Sequence, residues 1–233
     1  MEIIKSFIIS LFSIFSTFGP PSSSRPPTAP PPTKILESGL PDYHLIQATF
    51  VPQAPEKNWD QPWQDACEEA ALLTLDFYHR QATPSAQHQK EAILAMVEFE
   101  TRQGWTHDVN LEQMAQIGRE YLGLKPEIYS NPSIEQIKSL VANDIPIIVP
   151  ANGKVLFREN RHFKNGGPWY HNLVILGFDD RSGKFIVHDV GTQFGAYFEY
   201  SYQLLFQSIH DFPVSGRKED IAQGPRAVLV LLK

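Results

Sequence analysis

Cys67 is the only cysteine of the chain and stands at the start of a helix-like run, QPWQDACEEAALLTLDFYHRQ. Far downstream, His171 opens the apolar run HNLVILGFDD and Asp189 closes FIVHDVG. A thiol at a helix N-terminus, followed by an imidazole and a carboxylate, supplies a nucleophile, its base and a group to orient the base. A thiol must ionise to attack, and free cysteine has a pKa near ~8.5. Unpaired N–H groups at a helix start pull that value down. Glu68 and Glu69, directly after the sulfur, push the other way. A protonated His171 beside the sulfur would compensate, so the two residues are read as a pair. The turn DDRSGK predicts a hairpin that returns Asp189 beside His171. There a carboxylate fixes the ring and stabilises the imidazolium. The blander readings are a buried thiol, a strand-opening histidine and an aspartate that caps the turn into Gly191. The three coincidences together outweigh them.

Acyl transfer also needs a donor for the oxyanion, and a side-chain amide ahead of the nucleophile can join the backbone N–H of Cys67. Gln61, six residues before Cys67, is preferred because a loop of that length can fold its amide over the helix start. Gln64 and Gln53 stay open as alternatives. Trp63 and Trp169 have the best claim to line a peptide cleft, since each lies near a catalytic candidate, although large aromatics are more often core. His188 alternates to the strand face opposite Asp189, which argues against its being the base. His162 reads as solvated. His79, His88 and His107 are scattered and no HExxH pair occurs, so neither a metal nor an organic cofactor is expected. A single cysteine also excludes an internal disulfide and a Cys-rich zinc site.

The elements that must position these residues follow from periodicity and capping. YHLIQATFVPQ reads as a short strand ended by Pro52. Residues 65–81 read as a helix in which Ala66, Ala70, Leu73 and Phe77 recur at spacings of three and four. Pro84 opens a second helix through Ile93, Met96 and Phe99. A third lies in DVNLEQMAQIGREYLGL with Asp108 as its cap, and Ser133 with Gln136 forms a capping box for a fourth. Then the pattern changes to short β-branched or aromatic runs: IPIIVPA, HNLVILGFDD, KFIVHDV, AYFEYSY and RAVLVLL. A small helix is expected over 204–210. Helices first and strands second predict an α+β fold, with N-terminal helices packed on a C-terminal antiparallel sheet.

Ahead of the folded part, Lys5 precedes an uncharged apolar stretch from Ser6 to Phe18. That is short of the ~20 residues a membrane span needs and suits a signal-peptide core. Residues 1–18 are therefore read as a signal peptide or signal-anchor, with membrane anchoring as the second option. The Pro/Ser-rich segment 19–34 reads as an extended linker, and 35–233 as one domain. This arrangement predicts an extracytoplasmic protein, secreted or held by its N-terminus. A net charge of -6 without a basic stripe leaves no footprint for nucleic acid.

Taken together, VPQAPEKNWDQPWQDACEEAALLTLDFYH, IPIIVPANGKVL, GGPWYHNLVILGFDD and HDVGTQFGAYFEYSY resemble the peptidase C39-like family of papain-fold bacterial proteins. Its relatives include the cysteine peptidases that remove double-glycine leaders from bacteriocins. The resemblance spans roughly 48–209. It implies a papain-like fold and a Cys, His, Asp set that maps onto Cys67, His171 and Asp189. In the bacteriocin-processing members the oxyanion glutamine lies six before the cysteine, as Gln61 does. Other members carry it in a Val-Pro-x-x-x-Gln type segment, which favours Gln53. The chain departs from the frequent Cys-Gly start of the helix by having Glu68. The expected function is an exported cysteine peptidase acting on a peptide or protein substrate through an acyl-enzyme. The alternatives are a cell-wall peptide amidase or transpeptidase, and a catalytically silent peptide-binding module of the same fold.

Overall fold

The helix behind the cysteine owes its position to burial on nearly every side. A computed structural model describes residues 39–233. In it a 3₁₀ turn at Trp63–Asp65 leads into α1, Cys67–Arg80. Eleven successive residues of α1, Cys67 to Phe77, are buried, including Glu68, Glu69, Thr74 and Asp76. A helix apolar on one stripe only would lie at the surface. Packing between two other helices and the sheet buries α1 on nearly every side; the buried acids are tolerated through their partners, Glu68 accepting from Cys67 and Val109 and Asp76 from Arg80.

Those two helices are α2, Ala86–Gln103, and α3, Leu111–Glu120. Ser85 caps α2 by accepting the His88 N–H, and Gly104 ends it in the left-handed region at φ 75°. The cap of α3 is Asn110 rather than Asp108. Asn110 accepts the Gln113 N–H while the Gln113 side chain accepts from Asn110, and this reciprocal pair fixes the start. The box between Ser133 and Gln136 forms as the sequence predicts and opens α4, Ile134–Ala142.

The strands are β1 (Tyr43–Leu45), β2 (Lys125–Ser130), β3 (Ile147–Asn152), β4 (Tyr170–Asp179), β5 (Lys184–His188), β6 (Phe198–Ser201) and β7 (Ala227–Leu232). They form one antiparallel sheet in the order β2-β7-β3-β4-β5-β6, and β1 also pairs with β4. Strand β2 is an element that the sequence patterns above do not mark. It is an edge strand, where the missing N–H of Pro126 is tolerated, and all six of its residues pair with β7. Two short helices complete the chain: α5 (Gly153–Leu156) and α6 (Tyr202–Ser208), the latter starting two residues earlier than expected.

Strand β4 is the spine of the sheet and is buried from Tyr170 to Phe178. At Gly177 the strand bulges, and a Cβ there would lie 2.6 Å from the His44 carbonyl oxygen, so only glycine lets β1 approach. The β4–β5 hairpin pairs Val174 with His188. It therefore carries Asp189 just past the end of β5, toward His171 at the start of β4. The helices precede most of the sheet, as the α+β reading predicts. The signal and linker readings, residues 1–18 and 19–34, lie outside the described residues, and the domain is described from residue 39. Among the described residues no helix is long and apolar enough to cross a membrane.

Candidate active site

His171 and Asp189 meet as the hairpin predicts. The His171 Nε2 lies 2.8 Å from Asp189 Oδ1, with both side chains buried. Asp189 collects three further donors: the Gly191 N–H at 3.2 Å on Oδ1, and Asn160 Nδ2 at 2.9 Å and the Tyr200 hydroxyl at 2.5 Å on Oδ2. Burial opposes its ionisation, but the charge of His171 and these hydrogen bonds outweigh it. They hold the carboxyl below its usual range. The anion in turn raises the Tyr200 hydroxyl, which burial already raises.

The imidazole is confined on its other sides. The Phe163 ring stands edge-on to it, centroids 5.3 Å apart at 81°. A Cβ at Gly191 would come within 2.6 Å of His171 Cε1 and 2.9 Å of Phe163 Cε1, so a side chain there would displace both rings. With Nε2 committed to Asp189, Nδ1 is the ring nitrogen left for a sulfur.

Cys67 begins α1, whose N-cap, Ala66, offers no side-chain acceptor. The first-turn N–H groups are therefore not consumed by a cap. Cys67 and His171 line the same cleft, of about 530 Å³. The thiol itself is 5 % exposed and turns inward. It donates to Glu68 Oε2 at 2.9 Å, and Asn172 Nδ2 lies 3.9 Å from the sulfur. Glu68 also accepts the Val109 N–H on Oε1 at 3.2 Å. Burial first, then the charge and hydrogen bond of Glu68, push the thiol well above its ordinary value. Burial, Glu69 and Asp108 push Glu68 up in the same way. The lowering expected from the helix start is thus overridden in this arrangement, by burial first and by Glu68 second. The contact of Cys67 with Glu68 and Asn172 was not foreseen, since it depends on which way the thiol turns.

Gln61 requires a correction. Its side chain is exposed and donates to Asp65 Oδ2 at 2.6 Å, outside the cleft. The 3₁₀ turn at 63–65 brings Asp65 within reach and holds the amide on the solvent side. Gln53 and Gln64 line the cleft instead. Gln53 is buried, and its Nε2 donates to the carbonyls of Trp63 (2.9 Å) and Gln64 (3.0 Å), tying down the loop before α1. Its Oε1 has no partner.

Of the tryptophans, Trp169 lines the cleft as expected, but Trp63 is core and Trp59 takes its place. His188 is buried, bonded to the Ala48 carbonyl and the Tyr197 N–H, and held by burial at about 4. It stays neutral and apart from the reacting groups. Asn160, Phe163 and Tyr200 were missed by sequence reasoning. Asn160 and Phe163 come from the loop between α5 and β4 and Tyr200 from β6, and no local pattern ties them to Asp189 or His171.

The chain matches the family model described as Peptidase C39 like family over residues 46–211. Xylellain, a cysteine protease from Xylella fastidiosa, is similar in fold at 12% identity and TM-score 0.53, over 88% of this chain and 91% of that one. A C39-like peptidase from Bacillus anthracis aligns at 16% identity and TM-score 0.36 over 54% of this chain, which spans 60% of that protein's length. No curated protein sequence matches.

Proposed function

The chain belongs to the peptidase C39-like family, and from that premise we propose that it is an exported cysteine peptidase. Its triad is Cys67, His171 and Asp189. The observation that carries this reading is the 2.8 Å contact of His171 with a fully satisfied Asp189 in the cleft that Cys67 also lines.

The reaction begins with the thiol turning from Glu68 toward His171. Nδ1 of His171 takes the thiol proton, and the thiolate adds to the scissile carbonyl carbon. Asp189 keeps the ring in register and stabilises the imidazolium. The negative oxygen of the tetrahedral intermediate is held by the Cys67 backbone N–H; Gln53 lines the cleft but joins only by giving up one of its Nε2 bonds to the Trp63 and Gln64 carbonyls. The amide C–N bond then breaks, and the imidazolium gives its proton to the leaving amine. Water, deprotonated by the same imidazole, hydrolyses the thioester and restores the thiol.

The inward thiol favours a second reading, a peptide-binding module of the same fold that turns nothing over. Hydrolysis of a quenched fluorescent peptide library by the full-length chain separates the two. The peptidase reading expects cleavage that falls to background in both Cys67→Ala and His171→Ala. Peptide binding without cleavage by the parent chain leaves the silent module.

A further inference from the structure

Seven large apolar side chains are exposed among the described residues, and three of them line the one cleft that holds Cys67 and His171. These are Trp59, 37 % exposed, Trp169, 41 %, and Phe194, 68 %. They come from separate segments: the loop before α1, the loop before β4 and the turn after β5. Their convergence is therefore a property of the cleft and not of one apolar stretch. Scattered exposed apolar residues need no explanation, but a cluster on a concave surface marks a binding site.

Two of the rings are also held in place. The Lys154 Nζ sits 5.0 Å from the centre of the Trp169 ring and donates to the Asn165 carbonyl at 3.2 Å. The Phe194 ring packs on His162, centroids 4.6 Å apart. A surface held in this way loses little conformational freedom when it is covered. The charged residues of the cleft balance, two acids (Asp65, Asp108) against two lysines (Lys164, Lys218), and Lys218 faces Asp108 at 3.8 Å. The cleft therefore carries no excess of either sign to draw a charged side chain, and the aromatic surfaces are its distinguishing feature.

We infer that the cleft selects peptides carrying a bulky apolar side chain, aromatic above all, within two residues of the scissile bond, and that Trp59, Trp169 and Phe194 determine this specificity. The inference rests on the peptidase reading for its account of turnover but not for binding, and the test separates the two.

Peptides identical except for one position next to the cleaved bond, occupied by Phe, Leu, Gly, Asp or Lys, are offered to the full-length chain. The Phe and Leu peptides should exceed the Gly, Asp and Lys peptides in kcat/KM by about tenfold or more, the scale on which apolar pockets discriminate. Phe194→Ala, at a solvated position that should not disturb folding, and Trp169→Ala should each shrink the Phe-to-Gly ratio severalfold. Equal turnover of Phe and Gly peptides, or a ratio that neither substitution moves, overturns the inference. If nothing is cleaved, the same peptides are titrated against Cys67→Ala by tryptophan fluorescence. Tighter binding of the Phe series then upholds the cleft inference while the peptidase reading falls, and equal binding of all series ends both.

Discussion

Asp189 accepts four hydrogen bonds in a site with no access to water, so its charge is fixed by its neighbours and not by solvent. Asp189→Asn preserves the volume but removes the anion and turns an amide toward His171 Nε2. The wrong tautomer then faces the sulfur, and kcat should fall by about 10³–10⁴-fold, as in a triad that loses its carboxylate. A kcat within twofold of the parent on the same peptide would reduce Asp189 to a turn residue. Glu68 works in the opposite sense. Its carboxyl receives the thiol proton at 2.9 Å and opposes thiolate formation beside it. Glu68→Gln keeps the shape and the acceptor for the Val109 N–H but cannot ionise. The iodoacetamide rate profile should move at least one pH unit lower, about tenfold in rate on its rising limb. An unmoved profile would mean that burial alone raises the thiol.

At the scale of elements, α1 and α2 are joined through buried acids. Glu69 on α1 and Glu100 on α2 lie side by side and interact through their carboxyls, and Glu69 Oε2 and Glu100 Oε1 have no hydrogen-bond partner among the described residues. Burial first, then Glu68, raises Glu100 to about 8, and burial with Glu100 raises Glu69. Two adjacent buried carboxyls must share a proton. Folded values above the unfolded ~4.3 mean the contact is fully stabilising below about pH 4 and is lost as pH rises through about 8. Thermal melts should therefore show a Tm that falls from pH 5 to pH 8.5. Glu100→Gln should flatten that fall by a few degrees, at roughly 2–4 °C per kcal/mol for a chain of this size. A parent Tm flat across this range would mean the pair titrates as it does in the unfolded chain. None of this was legible in the sequence, where Glu69 and Glu100 lie far apart on two ordinary helices. What was legible is local. The Ser133–Gln136 box spans four residues and marks α4 correctly. Asp108 and Asn110 are both good caps, and only the reciprocal Gln113 bond decides between them. Strand β2 exists because β7 pairs it, which its Lys-Pro start conceals. Cys67, His171 and Asp189 could be picked out by type and order, because the hairpin between the last two is a short-range feature. Gln61 was misplaced because the path of the loop before α1 is set by Gln53, whose two bonds to that loop no spacing rule describes.

On the scale of the whole molecule, the cleft lies where the helical part, with Cys67 at the start of α1, meets the sheet part, with His171 at the start of β4 and Asp189 just past β5. Assembly of the site therefore needs the complete packed domain. The export proposed for the segment ahead of that domain rests on its composition: Lys5, then no charge from Ser6 to Phe18, then the Pro/Ser-rich stretch 19–34. Fused to a reporter enzyme that works only outside the cytoplasm, residues 1–34 should confer activity. Ile9→Asp together with Phe12→Asp should abolish it, because each charge in the middle of an apolar segment costs ~2.5–3.5 kcal/mol on insertion scales. An apolar run shorter than the ~20 residues of a full span has no surplus to offset two such charges. The same pair of substitutions should leave peptide hydrolysis in cell lysates unchanged, since the proposed triad, Cys67, His171 and Asp189, lies well beyond the substituted segment. Fractionation of the parent chain then sorts a cleaved signal, which leaves a shortened soluble protein, from an anchor, which keeps the full length with the membrane. A full-length soluble protein inside the cytoplasm would sink both forms of the export reading.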